Sequence, residues 1–214
     1  MNKIFAIGDI HGSLTKLQRL MEIIPIDRKN DTLLFIGDYI DRGKSGTAVV
    51  DYIIKLRGEF KKIICLMGNH EHMFLRYLEG VAEDLYLQNG GIATVSAYDI
   101  RRSDPPDLRK STLPEEHALF FFSLLPYYET PDYIFVHAGL KPGVPVEQQT
   151  TYDIMWIRQE FIASTYDFGK LVIFGHTPTP QPLIMDNKIG IDTGAVFGGK
   201  LTCLELPERK FYQV

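Results

Sequence analysis

The chain has 214 residues, of which 45% are hydrophobic and 23% are charged, a composition typical of globular proteins. Its formal net charge of −4 argues against the basic surface of a nucleic-acid-binding protein, and two cysteines, Cys65 and Cys203, are too few for a disulfide framework or a thiolate zinc cluster. No apolar run approaches the roughly 18 residues that span a bilayer, and no signal peptide is recognisable. We therefore expect a single domain over residues 1–214 in a reducing cytoplasm.

The first third of the sequence alternates apolar runs with amphipathic segments, which is typical of consecutive β-α-β units. Strands are predicted at residues 3–7, 32–36 and 62–67, and helices at 14–24, from Gly46 to Gly58 and at 70–79. Ser13 is predicted to cap the first helix and Gly58 to end the second. The strand runs are apolar enough to be buried on both faces, which favours a parallel sheet.

The rest of the sequence is predicted to be richer in strands. Helices are expected at residues 81–89, 92–98 and 114–124, and a polar loop containing Pro105 and Pro106 at 101–111. Strands are expected at 127–129, 133–136, 171–174, 188–192 and 201–205. We predict that these strands form a second sheet.

Five short motifs carry the polar side chains of a candidate site, and each follows an apolar run. They read Gly-Asp-Ile-His-Gly at 8–12, Gly-Asp-Tyr-Ile-Asp-Arg-Gly at 37–43, Gly-Asn-His-Glu at 68–71, His-Ala-Gly at 137–139 and Gly-His-Thr at 175–177. The first three recur about thirty residues apart, which is the length of one strand–helix–strand unit. The fold is therefore predicted to bring their polar side chains to the same edge of one sheet.

These polar residues form a candidate centre for two divalent metal ions. The predicted ligands are Asp9, His11, Asp38, Asn69, His137 and His176. Residues i and i+2 of an extended chain point the same way, so Asp9 and His11 can reach one ion, while the two oxygens of Asp38 can bridge both. Oxygen and imidazole ligands without a thiolate favour manganese, iron or zinc in a catalytic site.

Such a centre is predicted to attract a phosphate dianion, because Asp9 and Asp38 cancel only part of the charge of two divalent ions. Two metals about 3.5–4 Å apart can activate a water as hydroxide and stabilise an in-line displacement at phosphorus. Direct attack by that hydroxide on a phosphate ester is the expected reaction.

Four further residues are assigned catalytic roles. Arg42 and Arg158 are predicted to hold phosphate oxygens. His70, next to Asn69, is the candidate general acid for the leaving alkoxide, and Asp41 is predicted to orient its imidazole. The other two histidines, His72 and His117, are expected on helix surfaces.

In this order, the motifs resemble the phosphoprotein phosphatase family of metallophosphoesterases. The segment Met-Trp-Ile-Arg at 155–158 and the short chain are most similar to the bacterial and bacteriophage lambda branch, and residues 190–195 resemble a late strand-and-turn segment of the family. The resemblance implies an α/β (α+β) calcineurin-like metallophosphoesterase fold, a central β-sandwich of two mixed sheets flanked by helices. It also implies hydrolysis of phosphoserine and phosphothreonine, often with activity on phosphotyrosine and small phosphate esters, and usually a requirement for Mn²⁺.

Two alternatives to a protein serine/threonine phosphatase are compatible with parts of this pattern. The symmetrical diadenosine tetraphosphate hydrolase shares much of the ligand set, but its second motif usually lacks the Asp-Arg-Gly ending found at 41–43. A metal-binding pseudo-phosphatase would need a broken ligand set, whereas all six candidates are present. We therefore expect a phosphoprotein or phosphopeptide substrate, no nucleic-acid or membrane partner, and a monomer or weak oligomer, with the dinucleotide hydrolase or another nucleotide phosphoesterase as the alternative.

Overall fold

Ten strands and nine α-helices are found in the part of the chain that the computed structural model describes, residues 2–214. The strands are β1 (Ile4–Ile7), β2 (Thr32–Phe35), β3 (Ile63–Cys65), β4 (Tyr127–Glu129), β5 (Tyr133–Val136), β6 (Leu171–Phe174), β7 (Leu183–Ile184), β8 (Lys188–Gly190), β9 (Thr202–Leu206) and β10 (Lys210–Gln213). The α-helices are α1 (Leu14–Ile23), α2 (Gly46–Glu59), α3 (Asn69–Leu78), α4 (Glu83–Tyr86), α5 (Ile92–Ala97), α6 (Pro106–Ser111), α7 (Glu115–Phe122), α8 (Thr151–Trp156) and α9 (Gln159–Ile162). None of the helices within this range combines the length and the apolar composition needed to cross a membrane.

The strands form two five-stranded mixed sheets. The first has the order β10-β9-β1-β2-β3. In it, β1, β2 and β3 are parallel to one another, β9 is antiparallel to β1, and β10 is antiparallel to β9. The second has the order β4-β5-β6-β8-β7, with parallel β5, β6 and β8 between two antiparallel edge strands. Because parallel strands end at one edge of a sheet, the loops that follow β1, β2 and β3 lie together, as do those that follow β5 and β6.

The two sheets pack face to face, and side chains from both fill the layer between them. This layer includes Ala6, Leu34, Phe135, Ile173 and Leu204, all fully buried. Helices α1, α2, α3 and α7 cover the outer face of the first sheet, and α8 and α9 cover that of the second. The structure confirms the predicted α/β class with a central sandwich of two mixed sheets flanked by helices.

The strand predicted at residues 201–205 joins the first sheet and not the second. β9 pairs with β1 in antiparallel register, with Cys203 opposite Ile7, and β10 extends the same sheet. An apolar run predicts a buried strand but not its neighbour, because the partner is chosen by packing over a long sequence separation. The prediction that residues 201–205 belong to the second sheet is therefore wrong.

Three local predictions also differ from the structure. Residues 101–111 were expected to be a loop, but Pro106 is the first residue of α6, a position that proline favours. Gly58 does not end α2, which continues to Glu59, and the Ser13 side chain makes no capping hydrogen bond to α1.

Candidate metal centre

The turns that hold the candidate ligands place several of them in the left-handed region of backbone conformation. The φ angles are 44° at His11, 54° at Asp38 and 63° at His176, and those of Asp41 and Arg42 are 69° and 62°. Residues other than glycine rarely adopt such values. Conformations of this kind cost free energy and cluster at functional sites, so their concentration here favours a site at this edge of the sheets.

Asp38 lies at the middle of the candidate centre. Its buried carboxylate has Oδ2 at 3.2 Å from His11 Nε2 and Oδ1 at 3.4 Å from His137 Nε2. Two groups of side chains offer ligand atoms within 4.8 Å of one another, and they are His11, Asp38 and His70, and Asp38, His137 and His176. Asp38 is the one residue common to both groups, which fits a carboxylate shared by two ions.

Asn69 joins the two histidines that come from the second sheet. Its Oδ1 lies 2.9 Å from His137 Nε2 and 2.9 Å from His176 Nδ1. The backbone N–H of His176 donates to Asp9 Oδ2 at 3.0 Å, which connects the turn after β6 to the turn after β1. The structure thus brings all six predicted ligands together, although Asp9 stands outside both groups of clustered ligand atoms.

Backbone carbonyls hold two of the imidazoles in one orientation. His11 Nδ1 lies 2.8 Å from the Ile40 carbonyl oxygen, and His137 Nδ1 lies 3.1 Å from that of Ile36. Each Nδ1–H donates to the carbonyl, which leaves the lone pair of Nε2 directed toward Asp38. Histidines that bind metals in proteins are commonly held in this way through their other ring nitrogen.

Three buried polar atoms of the site have no hydrogen-bond partner within residues 2–214, namely Asp9 Oδ1, His70 Nε2 and His176 Nε2. Buried polar atoms are nearly always paired, so three such atoms in one place indicate a bound group that contacts them. All three belong to chemical types that bind divalent transition metals. The residues therefore fit a centre for divalent metal ions.

Burial and neighbouring charges shift the pKa values of the two aspartates in opposite directions. Burial raises the pKa of Asp9 well above its usual range, and the nearby Asp192 and Asp38 carboxylates add to the effect. Burial acts in the same direction on Asp38, but the imidazoles of His137, His70 and His11 outweigh it and hold its pKa well below the usual range. A low pKa keeps Asp38 ionised, as a carboxylate that would hold a metal ion requires.

Burial also opposes protonation of two of the imidazoles, and at His137 it acts against the attraction of the Asp38 carboxylate. It lowers the pKa of His137, and it lowers the pKa of His176 to about 2, with a further contribution from the neighbouring His137. A neutral imidazole retains the lone pair that a metal ion needs.

His70 and Asp41 form a buried pair next to the candidate ligands. His70 Nδ1 lies 2.7 Å from Asp41 Oδ2, and neither side chain is exposed. Tyr86 and Thr94 donate their hydroxyl groups to Asp41 Oδ1 at 2.7 and 2.5 Å. The Asp41 carboxylate is thereby held in one orientation, and the predicted contact that directs the His70 ring is present in the structure.

The two predicted phosphate-binding arginines lie on different sides of the centre. Arg42 Nη1 lies 2.5 Å from His11 Nε2, and its guanidinium is 5.3 Å from the centre of the exposed Phe197 ring. Arg158 Nη1 donates to the carbonyl oxygen of His176 at 2.9 Å and to Thr177 Oγ1 at 3.2 Å. Both guanidinium groups border the candidate ligands from the exposed side of the site.

Glu71 holds the turn after β2 and had no predicted role. Its Oε2 accepts the backbone N–H groups of Asp38 and Gly68 at 2.9 and 3.1 Å, and its Oε1 accepts those of Tyr39 and Ile40 at 2.8 and 3.3 Å. The sequence signal was available, because Glu71 is the third residue of α3, where a glutamate can accept hydrogen bonds from the chain before the helix.

We expect Glu71→Ala to lower the free energy of unfolding by at least about 3 kcal/mol, because it leaves several buried backbone N–H groups without an acceptor. Chemical denaturation of the metal-free protein followed by circular dichroism measures the change. The control is Glu22→Ala, which removes an exposed glutamate from α1 and should change stability by less than about 0.5 kcal/mol. Equal stability of the two variants would contradict the role assigned to Glu71.

Two other residues differ from or extend the sequence-based assignment. Asp192 is buried near Asp9 and accepts the backbone N–H of Gly194 at 3.0 Å, and burial raises its pKa. It adds a further buried carboxylate beside Asp9 and was not among the predicted ligands. His117 is buried, with Nε2 2.7 Å from Asp51 Oδ1, so its expected position on a helix surface is wrong.

The chain is similar in sequence to a protein family and to named bacterial proteins. The sequence matches the family model described as calcineurin-like phosphoesterase over residues 2–199. A protein of Bacillus thuringiensis (strain Al Hakam) named bis(5'-nucleosyl)-tetraphosphatase PrpE (asymmetrical) is 27% identical, and the alignment covers 97% of this chain and 92% of that protein.

Solved structures share the fold over the whole chain. One described as "Crystal structure of a putative diadenosine tetraphosphatase" has a TM-score of 0.78 at 22% identity and is covered over 93% of its length. A cold-active protein tyrosine phosphatase has a TM-score of 0.71 at 17% identity and is covered over 78%. At these identities the likeness establishes the common architecture and not the substrate.

Proposed function

The chain belongs to the calcineurin-like phosphoesterase family, and we propose that within it the protein is a metal-dependent dinucleoside tetraphosphate hydrolase. Hydrolysis of a phosphoester is supported above all by the two groups of ligand atoms that share Asp38. The choice of substrate is supported by the curated relatives, which align over nearly the full chain and are named bis(5'-nucleosyl)-tetraphosphatases. Their names specify asymmetrical cleavage, so we propose asymmetrical rather than symmetrical hydrolysis.

In this proposal, Asp9, His11, Asp38, Asn69, His137 and His176 hold two divalent ions, with Mn²⁺ as the proposed metal. When bound, the ions supply positive charge to the phosphoryl oxygens and lower the pKa of a water molecule toward neutrality. Arg42 and Arg158 hold further oxygens of the phosphate chain. His70, oriented by Asp41, donates a proton to the oxygen that leaves phosphorus.

A protein serine/threonine phosphatase, including one of the bacterial and bacteriophage lambda type, is the second candidate. The observation that favours it is the buried pair of His70 and Asp41. An oriented general acid has most to contribute when the leaving group is an alkoxide of high pKa, as in phosphoserine, and less when it is a phosphate.

A comparison of substrates with the purified protein tests the proposal. With Mn²⁺ present, we expect kcat/KM for diadenosine tetraphosphate to exceed that for a phosphoserine peptide by a wide margin, with ATP and AMP as the products resolved by chromatography. Two ADP molecules would show symmetrical cleavage, and a preference for the peptide would support the phosphatase. Protein dialysed against a chelator is the control, and a rate that persists after metal is shown to be absent would contradict metal-dependent hydrolysis.

A further inference from the structure

An apolar groove opens beside the candidate metal centre, between α3, α4 and α8. Its volume is about 310 Å³, which is at the lower end of the range for small-molecule sites. Its walls include His72, Met73, Arg76, Leu85, Tyr152 and Trp156. His72 was expected on a helix surface, and the structure places it, half-buried, in this wall. The size suits one planar ring system with its sugar.

The groove borders the site where phosphate is proposed to bind. The ring of Trp156 lies 6.0 Å from that of His176 in an edge-on arrangement. Met73 follows Asn69 by four residues on α3, so the two side chains lie on one face of the helix, a turn apart. The groove is therefore within reach of a molecule whose phosphates lie at the centre.

The lining of the groove has the chemistry of a base-stacking site. Tyr152 is 67% exposed and Leu85 is 52% exposed, so large apolar surfaces face solvent close to the half-buried Trp156. The basic side chains of the lining are His72 and Arg76, and within residues 2–214 no carboxylate lines the groove. Aromatic rings next to a guanidinium are the groups on which proteins stack nucleobases.

We propose that this groove binds one nucleobase of the substrate, stacked on Tyr152 and Trp156, while the phosphate chain lies at the metal centre. The inference rests on the proposed function, because a dinucleoside tetraphosphate carries a base on each end of its phosphates. The planar, cationic and carboxylate-free lining favours a base over the side chain of a phosphopeptide. Tyr152 thereby becomes a residue that determines substrate specificity.

Direct binding of a base can be measured independently of hydrolysis, because Trp156 is the single tryptophan of the chain. We expect adenosine, which has no phosphate, to quench the fluorescence of the metal-free protein in a saturable way. Tyr152→Ala should weaken this binding by roughly 5- to 100-fold, the range given by loss of one stacking contact. Tyr152→Phe, which keeps the ring, should bind adenosine like the original protein. The matched control is Phe122→Ala, which removes an equally exposed ring from α7.

A kinetic measurement with the metal-loaded enzyme gives the second readout. Tyr152→Ala should raise KM for diadenosine tetraphosphate by a similar roughly 5- to 100-fold. The inhibition constant of inorganic tetraphosphate, which has the phosphate chain without a base, should change much less than this KM. Phe122→Ala should alter neither quantity.

The outcomes separate this inference from the proposed function. If the enzyme fails to cleave dinucleoside tetraphosphates but adenosine still quenches Trp156 in a manner that needs the Tyr152 ring, the proposed function fails and the base site stands. If the dinucleotide is cleaved but Tyr152→Ala changes neither adenosine binding nor KM, the base site is overturned and the function stands. If Tyr152→Ala raised KM only for the phosphopeptide, the base site would also be overturned. The groove would then receive a peptide side chain.

Discussion

Asp38→Asn is expected to abolish most of the hydrolytic activity while leaving the protein folded. Asp38 is the residue common to both groups of ligand atoms, so loss of its charge weakens both metal positions at once. Residues that only support metal ligands already contribute about 10- to 100-fold to affinity or activity, so we expect a loss of at least about 100-fold here. Turnover of a phosphate ester, and metal content by elemental analysis after gel filtration, measure the effect.

The chain offers a matched control for this substitution. Asp51 also pairs with a histidine, since its Oδ1 lies 2.7 Å from His117 Nε2, but that pair is outside the metal centre. Asp51→Asn should retain the metal content and the activity of the original protein. If Asp38→Asn also kept two metal ions and a near-normal rate, the assignment of Asp38 as the shared ligand would be wrong.

His70→Asn is expected to slow hydrolysis by an amount that depends on the leaving group. A general acid contributes about 10²- to 10⁴-fold when the leaving oxygen needs a proton. We therefore expect a loss of this size in kcat for a phosphoserine peptide, and a much smaller loss for an aryl phosphate whose phenolate leaves readily. The phosphate leaving group of a dinucleoside tetraphosphate should give a value closer to that of the aryl ester.

Metal content and a second histidine variant make this result interpretable. His70 also belongs to one of the two groups of ligand atoms, so the metal content of His70→Asn must be measured with its rate. His117→Asn, which alters a buried histidine paired with Tyr98 and Asp51, controls for the loss of a buried imidazole. An equal loss for both leaving groups, accompanied by loss of metal, would assign His70 to metal binding instead of proton donation.

The sequence predicted the alternation of strands and helices in the first third of the chain with boundaries close to those observed. It did so because the apolar period within each segment is a local property. The polar motifs could be recognised because each directly follows an apolar run. Their meeting at one edge could be predicted because parallel strands present their carboxyl ends together. The predictions differ from the structure where local rules compete, as at Gly58, which lies within α2, and at Pro106, which starts α6 instead of lying in a loop.

The amino-acid sequence by itself determined which side chains are available for the candidate site, their chemical types and the family to which the chain belongs. The tertiary structure decided which of those side chains meet. The contact of His176 with Asp9 joins positions 167 residues apart, and it exists because two separate sheets end at one place. The four backbone hydrogen bonds to Glu71, the buried pair of His117 with Asp51 and the groove between α3 and α8 likewise depend on packing between distant segments. Periodicity along the chain carries no information about such contacts, because burial and long-range hydrogen bonding select them only once the sheets and helices have packed together.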